Sequence, residues 1–543
     1  MGGMALKPNT SHAEGTMSTW KSRAWLLWLA ALAAVGFVAV TLCTARGVRL
    51  TPDSAVYMNA ARSLAAGRGL VVETGLAEGA PLTHFPPLLP VVLAAPAALG
   101  VDLPSAARWL DALALAGSVL LVGWLVCRYT ADRRLAVLGA MLAVSGLPML
   151  KTYTALLSEP LFMPLLLLGI LLMDIHLERP HVLLLLGSAA VFALAQLTRW
   201  TAAPFIGAAG LVLLLGGKGR ATRRLWECAL FGLVALLPAV LWVARNVALA
   251  GSAADRTLVS HPVTAAQARE ALRTAVAWVA PVKLAHLLRM PYLVVASVIL
   301  MGAVVWAGAG GYVLWKRTRT DGVQLLRESP WRPPYLLLVG GVAYLVFLAV
   351  SLSFFDASTS LKDRILVPMY LAGLVSALWL ANLIVISLHS ERARKQAMLG
   401  LCLLCVLVFV PRGALFALQR SRDGADYTSR AWRESPTLKA GLARASSAPI
   451  YTNDCRAFYL LGRVRAQSLP RKVTMTTRLP NRLYGEQSAA MAKDLSERGG
   501  LIVFFRGKGH SRGLPSEEQL VHELPLKLLQ SFPDGAIYGI EPA

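Results

Sequence analysis

The chain has 543 residues, of which 56% are hydrophobic and 15% are charged, and its net charge is +24. Soluble domains usually carry about 25% charged residues, so this composition excludes a chain built only of soluble domains. The positive charge fits the cytoplasmic loops of a membrane protein better than a nucleic-acid-binding surface, and we expect no nucleic acid among the partners.

The apolar residues fall into runs of about 20, the length needed to cross a lipid bilayer as a helix. Residues 1–23 precede the first run and are predicted to form a disordered cytoplasmic N terminus. The first run lacks a convincing small-residue cleavage site, so we interpret it as a retained helix and not as a signal peptide. We predict about eleven spans, at 24–44, 106–127, 135–150, 160–177, 181–197, 201–217, 225–243, 292–315, 335–353, 365–388 and 397–418.

The run at 86–100 is short and contains four prolines, so we interpret it as an interfacial or re-entrant segment. The orientation of the spans follows from the basic loops. With the N terminus in the cytoplasm, four of the five inside loops are rich in Lys and Arg. This asymmetry places residues 45–105, residues 244–291 and the tail after about residue 418 outside the cytoplasm.

The tail, residues 419–543, differs in character from the apolar part at 24–418. "GGLIVFFRG" and "GAIYGIEP" are apolar runs bounded by Gly and Pro, which is typical of short strands. Residues 485–498 have helical spacing. We therefore predict a transmembrane domain at 24–418 followed by a small extracytoplasmic α/β domain of ordinary size.

The first outside loop, residues 45–105, carries the most informative motif. Asp53 follows Pro52 directly after the first span, and residues 54–66 have helical spacing that ends at Gly67. An acidic residue where a helix begins is most simply an N-cap. A carboxylate at the mouth of a membrane bundle can also act as a general base, so both interpretations stay open on chemistry alone.

Several further motifs follow in the order in which a known group of enzymes has them. They are "DSAVY", "AARSLAAGRGL", "THFPPLLP", "LLSEPLFMPLLLLG", "LTRWTAAPF", "LLPAVLWVARNVALAGSAADR", "KDRILVPMYLAG" and "PIYTNDCRAFYLLGR". This ordered set resembles the polyprenyl-phosphate-dependent glycosyltransferases, which include the protein O-mannosyltransferase and aminoarabinose-transferase relatives. The resemblance covers residues 50–465 and implies the C-type glycosyltransferase (GT-C) fold. We expect an all-α polytopic membrane protein of that architecture with a small C-terminal α/β domain.

The resemblance also implies that Asp53 is the catalytic base. Many members have two adjacent acids at this point, whereas Ser54 follows Asp53 here, so the second carboxylate is absent. Relatives of the aminoarabinose type have a lysine before the proline, whereas His84 and Phe85 precede Pro86 here. A lysine contact to the phosphate therefore does not carry over to this chain.

The implied reaction needs cations, because its leaving group is an anionic lipid phosphate on which charge builds. Guanidinium groups suit this task, since their planar fork binds two phosphate oxygens. The candidates are arginines predicted at the outer ends of spans: Arg199, Arg245, Arg256 and Arg364. Each could instead reach toward lipid headgroups, or pair locally as Arg364 with Asp363. Tyr57 and His84 complete the candidate substrate-binding residues.

Glu159 begins a predicted span just before Pro160, where the helix dipole favours a carboxylate. It could also be a second acidic group of the site that assists catalysis. A divalent metal ion held by Asp53 or Glu159 with a histidine is left open, because the spacing does not indicate one. Asp111, inside the second span, is expected to form a local pair with Arg108.

We predict an inverting glycosyltransferase in the cytoplasmic membrane of a bacterium. It would transfer a sugar from a polyprenyl-phosphate donor to an envelope lipid, polysaccharide or protein on the outer face. One alternative is a polytopic transporter or flippase, although we see neither the internal repeats nor the midplane charges usual in that class. The other alternative is a non-catalytic scaffold for envelope glycan assembly.

Overall fold

The computed structural model describes residues 24–73, 79–280, 301–302, 305, 307–313, 315, 333–445, 448–474, 476–508 and 513–540. The predicted N-terminal segment 1–23 and most of the predicted span 292–315 lie outside these residues. Up to residue 423 the described part includes the helices α1 (Ala24–Cys43), α2 (Pro52–Ala65), α3 (Leu88–Ala98), α4 (Leu103–Thr130), α5 (Arg133–Ser145), α6 (Leu147–Thr152), α7 (Glu159–Glu178), α8 (Val182–Thr198), α9 (Ala203–Gly216), α10 (Ala221–Ala250), α11 (Ala265–Val279), α12 (Tyr335–Phe354), α13 (Asp363–Ile386) and α14 (Glu391–Asp423).

Seven of these helices are long and apolar enough to cross a membrane, namely α1, α4, α7, α10, α12, α13 and α14. Helices α8 and α9, predicted as spans, have only 17 and 14 residues. The predicted span 135–150 is divided into α5 and α6, because the backbone at Gly146 is extended and Pro148 near the start of α6 has no N–H to continue the helix. Helix α3 has 11 residues, too few to cross the bilayer.

The loops predicted to lie outside meet at one end of the bundle. The Arg49 N–H, after α1, donates to the Thr154 carbonyl between α6 and α7 at 2.9 Å. The Val259 N–H, after α10, donates to the Phe354 carbonyl at the end of α12 at 3.0 Å. The first outside loop also contains a short antiparallel pair, β1 (Val71–Val72) and β2 (Ala80–Pro81). Loops far apart in sequence therefore form one surface.

The C-terminal part contains a five-stranded sheet. Its strands are β3 (Ile450–Thr452), β4 (Gln467–Ser468), β5 (Leu501–Phe505), β6 (Leu526–Phe532) and β7 (Gly535–Ile540), in the spatial order β4-β3-β5-β7-β6. Strand β3 is parallel to β4 and β5, and β7 is antiparallel to β5 and β6. Every residue of β5 is buried, which is typical of a central strand covered on both faces.

Alternate residues of β5 face two different cores, because side chains alternate along a strand. Val503 and Phe505 pack with Leu438 of the helix Pro436–Arg444, whereas Ile502 and Phe504 pack on the other face. That second face is covered by the helices Tyr484–Arg498 and Glu517–Glu523. The sequence predicted β5, β7 and the first of these two helices, but it gave no indication of β6.

The C-terminal part packs against the first outside loop. One apolar core contains Tyr57 and Met58 of α2 together with Tyr427, Phe458 and Phe505 from the C-terminal part. Polar contacts add to it, because Arg62 of α2 donates to the Tyr459 hydroxyl at 2.9 Å. Helix α2, which carries Asp53 in its first turn, therefore packs between the bundle and the C-terminal part.

Candidate active site

A cavity of about 360 Å³ lies at the end of the bundle where these loops meet. Its walls come from the starts of α2, α7 and α13, the loop before α3, the turn between α8 and α9, the segment after α10 and the end of α12. Its polar lining consists of Asp53, Tyr57, His84, Ser158, Thr198, Arg199, Thr201, Arg256, Ser351, Asp356, Thr359 and Arg364. Apolar side chains complete the lining, among them Phe85, Phe347, Leu348, Val350, Phe355 and Ile365.

Asp53 is in the first turn of α2 but is not its N-cap. Thr51 is the cap, and it forms a reciprocal capping box with Ser54. Pro52 at the first helical position fixes the backbone direction there. The Asp53 carboxylate is therefore not used by its own helix, and its Oδ2 atom lies 2.6 Å from Nη2 of Arg364.

Arg364 joins the two acidic candidates. Its Nε donates to Oε1 of Glu159 at 2.6 Å, while its Nη2 donates to Asp53. The alternative local pairing of Arg364 with Asp363 is not formed. Asp363 instead binds Nζ of Lys151 at 2.7 Å and accepts from Nε1 of Trp278 at 3.0 Å. Adjacent residues of a helix point in different directions, so these neighbours take separate partners.

Helix α11 holds the loop that leads into Arg364. The Gln267 side chain donates to the Ala357 carbonyl at 3.2 Å, and Thr274 donates to the Leu361 carbonyl at 2.9 Å. Glu270 accepts from the Leu361 N–H at 2.9 Å. These contacts fix the start of α13, and therefore the position from which the Arg364 side chain extends.

Glu159 is in the first turn of α7, and its side chain is only 2% exposed. A second guanidinium group reaches it, because Nη1 of Arg199 lies 2.7 Å from the same Oε1 atom. Arg199 also donates to Oγ of Ser158 at 2.9 Å, and the Tyr57 hydroxyl donates to that Oγ at 3.3 Å. Ser158 was not a candidate, although it directly precedes Glu159 in the sequence.

A second acid–base pair lies on another wall. Nη1 of Arg256 donates to Oδ2 of Asp356 at 2.9 Å, and Nη2 of Arg256 lies 3.5 Å from Nε2 of His84. The sequence had singled out Arg256 and His84 but not Asp356. Asp356 and Arg256 are 100 positions apart, so no local spacing could have paired them.

The environment sets the protonation of three side chains outside the spans. Burial alone would raise the pKa of the Asp53 carboxyl group, but the Arg364 guanidinium outweighs burial and holds that pKa below its usual range. Burial and the Arg256 charge lower the pKa of His84, so its ring is neutral at neutral pH. Burial and the Asp53 charge raise the pKa of Tyr57, which keeps its hydroxyl protonated.

Arg245, the remaining candidate, lies beside the cavity but does not line it. Its Nη1 donates to the Leu82 carbonyl at 2.8 Å and to Oδ1 of Asn246 at 2.9 Å. Its guanidinium group also lies 4.4 Å from the ring centroid of Trp242. Arg245 therefore anchors the segment that leads to His84.

The expected pairing of Asp111 with Arg108 is wrong. Arg108 turns to the end of α1, where Nη2 donates to the Thr41 carbonyl at 2.7 Å and Nε donates to Oγ1 of Thr44 at 3.1 Å. Carbonyl groups at the C-terminal end of a helix have no partners in that helix, so they attract a guanidinium group. Asp111 is buried in α4, and its Oδ2 atom has no hydrogen-bond partner among the described residues.

The arrangement of the carboxylates does not fit a metal ion. Asp53 and Glu159 share Arg364, and His84 faces Arg256. In the part of the chain that the structure describes, no three side chains of His, Cys, Asp or Glu come together as a metal-binding group. The charged groups at the cavity are instead carboxylate–guanidinium pairs, in which Asp53, Asp356 and the buried Glu159 behind the lining face three arginines.

Such a lining suits an amphiphile with an anionic head. Guanidinium groups bind phosphate oxygens through two hydrogen bonds, and they can exchange one oxyanion for another. The apolar residues from the end of α12 extend the cavity along the helix and can contact a hydrocarbon chain.

Solved structures share this fold. ArnT from Cupriavidus metallidurans in the apo state gives a TM-score of 0.54 at 13% identity, over 96% of this chain and 100% of that chain. ArnT from the same organism bound to undecaprenyl phosphate gives 0.52 at 14% identity, over 96% and 99%. The Archaeoglobus fulgidus oligosaccharyltransferase tethered with an acceptor peptide gives 0.50 at 11% identity, over 89% and 69%. No protein-family model matches the sequence, and no curated protein matches it.

The chain therefore has the C-type glycosyltransferase fold, with membrane-length helices and a small sheet region at its C terminus. The fold class predicted from the sequence is confirmed. At these identities the likeness concerns the fold, so the activity must be argued from the site itself.

Proposed function

We propose that this protein is an inverting glycosyltransferase that uses a sugar linked to polyprenyl phosphate. The acceptor is a hydroxyl group of an envelope lipid, polysaccharide or protein, and the transfer takes place on the outer face of the cytoplasmic membrane. One observation carries the proposal: Asp53, Glu159, Arg199 and Arg364 form a single network at a cavity with an apolar flank. ArnT, which shares the fold, binds undecaprenyl phosphate, and this supports the choice of donor.

In the proposed reaction the acceptor oxygen attacks the anomeric carbon of the sugar. The bond between that carbon and the phosphate oxygen breaks, and both electrons leave with the phosphate. The proton of the acceptor hydroxyl passes to the Asp53 carboxylate. Because attack and departure occur on opposite sides of the carbon, the configuration at that carbon is inverted.

The pairing of Asp53 with Arg364 bears directly on this role. A carboxylate that accepts a hydrogen bond at 2.6 Å from a guanidinium group is a weak base. A donor phosphate that takes the Nη2 donor of Arg364 releases Asp53, which then becomes the stronger base. Donor binding and activation of the base are thereby coupled through one side chain.

Glu159 is a positioning residue in this mechanism. Its buried carboxylate holds Arg199 and Arg364 side by side, with contacts of 2.7 and 2.6 Å to the same oxygen. Two adjacent guanidinium groups present a ready site for the charge that develops on the leaving phosphate. Arg256, held by Asp356, adds a third cation on the opposite wall.

The test is transfer of radiolabelled sugar from synthetic polyprenyl-phosphate donors to envelope extracts by the purified protein in liposomes. The wild-type protein is expected to transfer label, and Asp53→Asn is expected to lose about 10²–10⁴-fold in kcat, the usual contribution of a general base. Asp102→Asn is the matched control, because Asp102 caps α4 and Asn caps a helix equally well.

The same experiment separates the competing interpretations. Movement of labelled donor across the bilayer without transfer would indicate a flippase. Unchanged glycan levels in cells that carry Asp53→Ala, together with a loss of glycan when residues 424–543 are deleted, would indicate a scaffold. Equal transfer by Asp53→Asn and the wild type would contradict the assigned role of Asp53.

A further inference from the structure

The sheet of the C-terminal part has a gap at the carboxyl ends of strands β3 and β5. These neighbouring strands are parallel, but the chain leaves β3 toward β4 and leaves β5 toward β6 at the opposite edge of the sheet. In open sheets with parallel strands, ligands bind where the chain leaves neighbouring strands in opposite directions, because the diverging connections leave a crevice. The topology of this sheet therefore predicts a binding site between the ends of β3 and β5.

The structure has a crevice of about 610 Å³ at this place. Its lining includes Asn453, which directly follows β3, together with Arg506 and Lys508, which follow β5. Glu517, at the start of the next helix, lines it as well. Small-molecule sites usually measure about 300–1,000 Å³, so the crevice has a suitable size. Among the described lining residues, none is shared with the cavity of the candidate active site.

The two cations that line the crevice are each paired with a carboxylate. Arg506 donates twice to Glu517, from Nε and from Nη2, both at 2.6 Å. The Tyr538 hydroxyl donates to the same carboxylate at 2.7 Å, which holds Glu517 in place. Nζ of Lys508 donates to Oδ2 of Asp534 at 2.6 Å. These two positive charges are therefore balanced by two negative charges, which favours an uncharged ligand.

The crevice also offers hydrogen-bonding groups beside apolar side chains. The contacts with Glu517 use only two of the N–H groups of Arg506, and a guanidinium group has about five. The Gln519 side chain accepts from the Ser516 N–H at 3.1 Å through its oxygen, so its amide N–H groups remain for a ligand. Leu514 adds apolar lining. A sugar ring has hydroxyl groups, which both donate and accept, and C–H faces, so this mixed lining suits a saccharide.

We propose that the crevice binds a saccharide unit of the acceptor, and that the C-terminal part thereby selects acceptors that carry an uncharged glycan. The inference rests on the proposed function. The crevice and the catalytic cavity are joined by one apolar core, because Phe505 lines the crevice, Tyr57 lines the cavity and both belong to that core. The part of the chain that holds the acceptor glycan is therefore the part that packs on α2, which carries the base.

The test measures binding of neutral trisaccharides to the purified full-length protein in nanodiscs by saturation-transfer NMR titration, without a lipid donor. The probes are mannotriose, maltotriose, cellotriose and chitotriose, and trigalacturonate is the charged comparison. At least one neutral trisaccharide is expected to bind. Arg506→Gln should weaken its binding about tenfold or more, the usual effect of losing a charge-assisted hydrogen bond.

Arg498→Gln is the matched control for Arg506→Gln. Arg498 also pairs with a carboxylate of the C-terminal part, Asp494 at 3.0 Å, but it does not line the crevice. It should bind the trisaccharide as the wild type does. Gln519→Glu serves if Arg506→Gln does not fold, because Glu keeps the reciprocal cap with Ser516 but lacks the amide N–H groups. It should weaken binding about three- to tenfold.

Three outcomes would overturn the proposal. The wild type could bind none of the neutral trisaccharides, or it could bind trigalacturonate more tightly than any of them. Equal binding by the wild type, Arg506→Gln and Gln519→Glu would show that the saccharide binds elsewhere. Each of these results leaves the proposed function standing if the protein still transfers label from the lipid donor. Saccharide binding without any transfer of label would contradict the proposed function instead.

Discussion

At the scale of single residues, the proposed mechanism centres on Arg364. Its two donors hold Asp53 and Glu159 at the same distance of 2.6 Å, although these acids begin different helices. When a donor phosphate takes the place of the Asp53 carboxylate as a partner of Arg364, the guanidinium group stays paired. This change of partner therefore leaves no uncompensated buried charge. In the proposed mechanism a single side chain therefore both binds the donor and releases the base.

This exchange predicts two different pH dependences. A general base must be deprotonated, and Arg364 holds the pKa of Asp53 below its usual range, so the acid limb of kcat/KM, which reports the free enzyme, should lie below about pH 4. In the donor complex Asp53 has lost its guanidinium partner, and its pKa rises. The acid limb of kcat should therefore lie at higher pH than that of kcat/KM.

Steady-state transfer rates between pH 3.5 and 7.5 would show the acid limb of kcat, whereas kcat/KM should stay nearly constant over most of that range. The donor is a phosphodiester, whose single negative charge does not titrate in this range. Asp102→Asn should reproduce both limbs of the wild type, since its carboxylate is remote from the cavity lining. Coincident limbs for kcat and kcat/KM would show that Asp53 keeps its partner during the reaction.

Several site residues could be predicted from the sequence, and the reasons for the misses are physical. Glu159, Arg199 and Arg364 stand at the start or end of an apolar run, and Asp53 stands in the loop after the first run, so all four were expected at the same membrane face. The pairings between them could not be predicted, because Arg364 and Asp53 are 311 positions apart. The Arg364–Asp363 alternative could have been discounted, since neighbours on a helix do not face each other.

At the scale of helices and strands, runs of apolar residues predicted the long helices well. A helix satisfies its own backbone hydrogen bonds in lipid, so length and composition are enough to locate it. The prediction of one span at 135–150 is wrong, because Gly146 and Pro148 interrupt the helix within an unbroken apolar stretch. Strand β6 was missed because its sequence, LKLLQSF, does not alternate regularly between polar and apolar residues, and five of its seven residues are exposed.

The close packing of α12 against α9 predicts that adding a methyl group at one glycine strongly lowers the stability of the protein. A Cβ atom at Gly340 in α12 would lie 2.5 Å from the Phe205 ring of α9, and that ring is fully buried beside Tyr344. Gly340→Ala should therefore destabilise the protein by about 1–3 kcal/mol through overpacking. Thermal unfolding in detergent would show this as a lower Tm.

Gly207 in α9 provides the matched control, because a Cβ atom there would meet no atom within 4 Å. Ala is the better helix former, so Gly207→Ala should leave Tm unchanged or raise it slightly. Equal Tm values for the two variants would mean that α9 and α12 are not packed as closely as Gly340 indicates.

At the scale of the whole molecule, the bundle and the loop at 45–105 line the cavity, and the sheet region packs on that loop. The apolar core that contains Tyr57, Phe458 and Phe505 packs α2 against the C-terminal part. The proposed function requires this end of the molecule to face away from the cytoplasm, where a lipid-linked donor and an envelope acceptor meet. The basic loops at the opposite end agree with that orientation.

Cysteine labelling tests the orientation directly. A membrane-impermeant maleimide should label Thr257→Cys in intact spheroplasts, because Thr257 is exposed in the loop beside Arg256. Arg392→Cys, exposed at the start of α14, should be labelled only after the membrane is permeabilised. The reverse pattern would place the cavity in the cytoplasm and exclude transfer on the outer face.

The most direct measurement is a cryo-electron microscopy structure of the protein with undecaprenyl phosphate in nanodiscs. The phosphate should lie in the cavity with oxygens about 3 Å from the guanidinium nitrogens of Arg364, and the Asp53 carboxylate should have left that side chain. A phosphate bound outside this cavity, or bound while Arg364 still joins Asp53 to Glu159, would contradict the account.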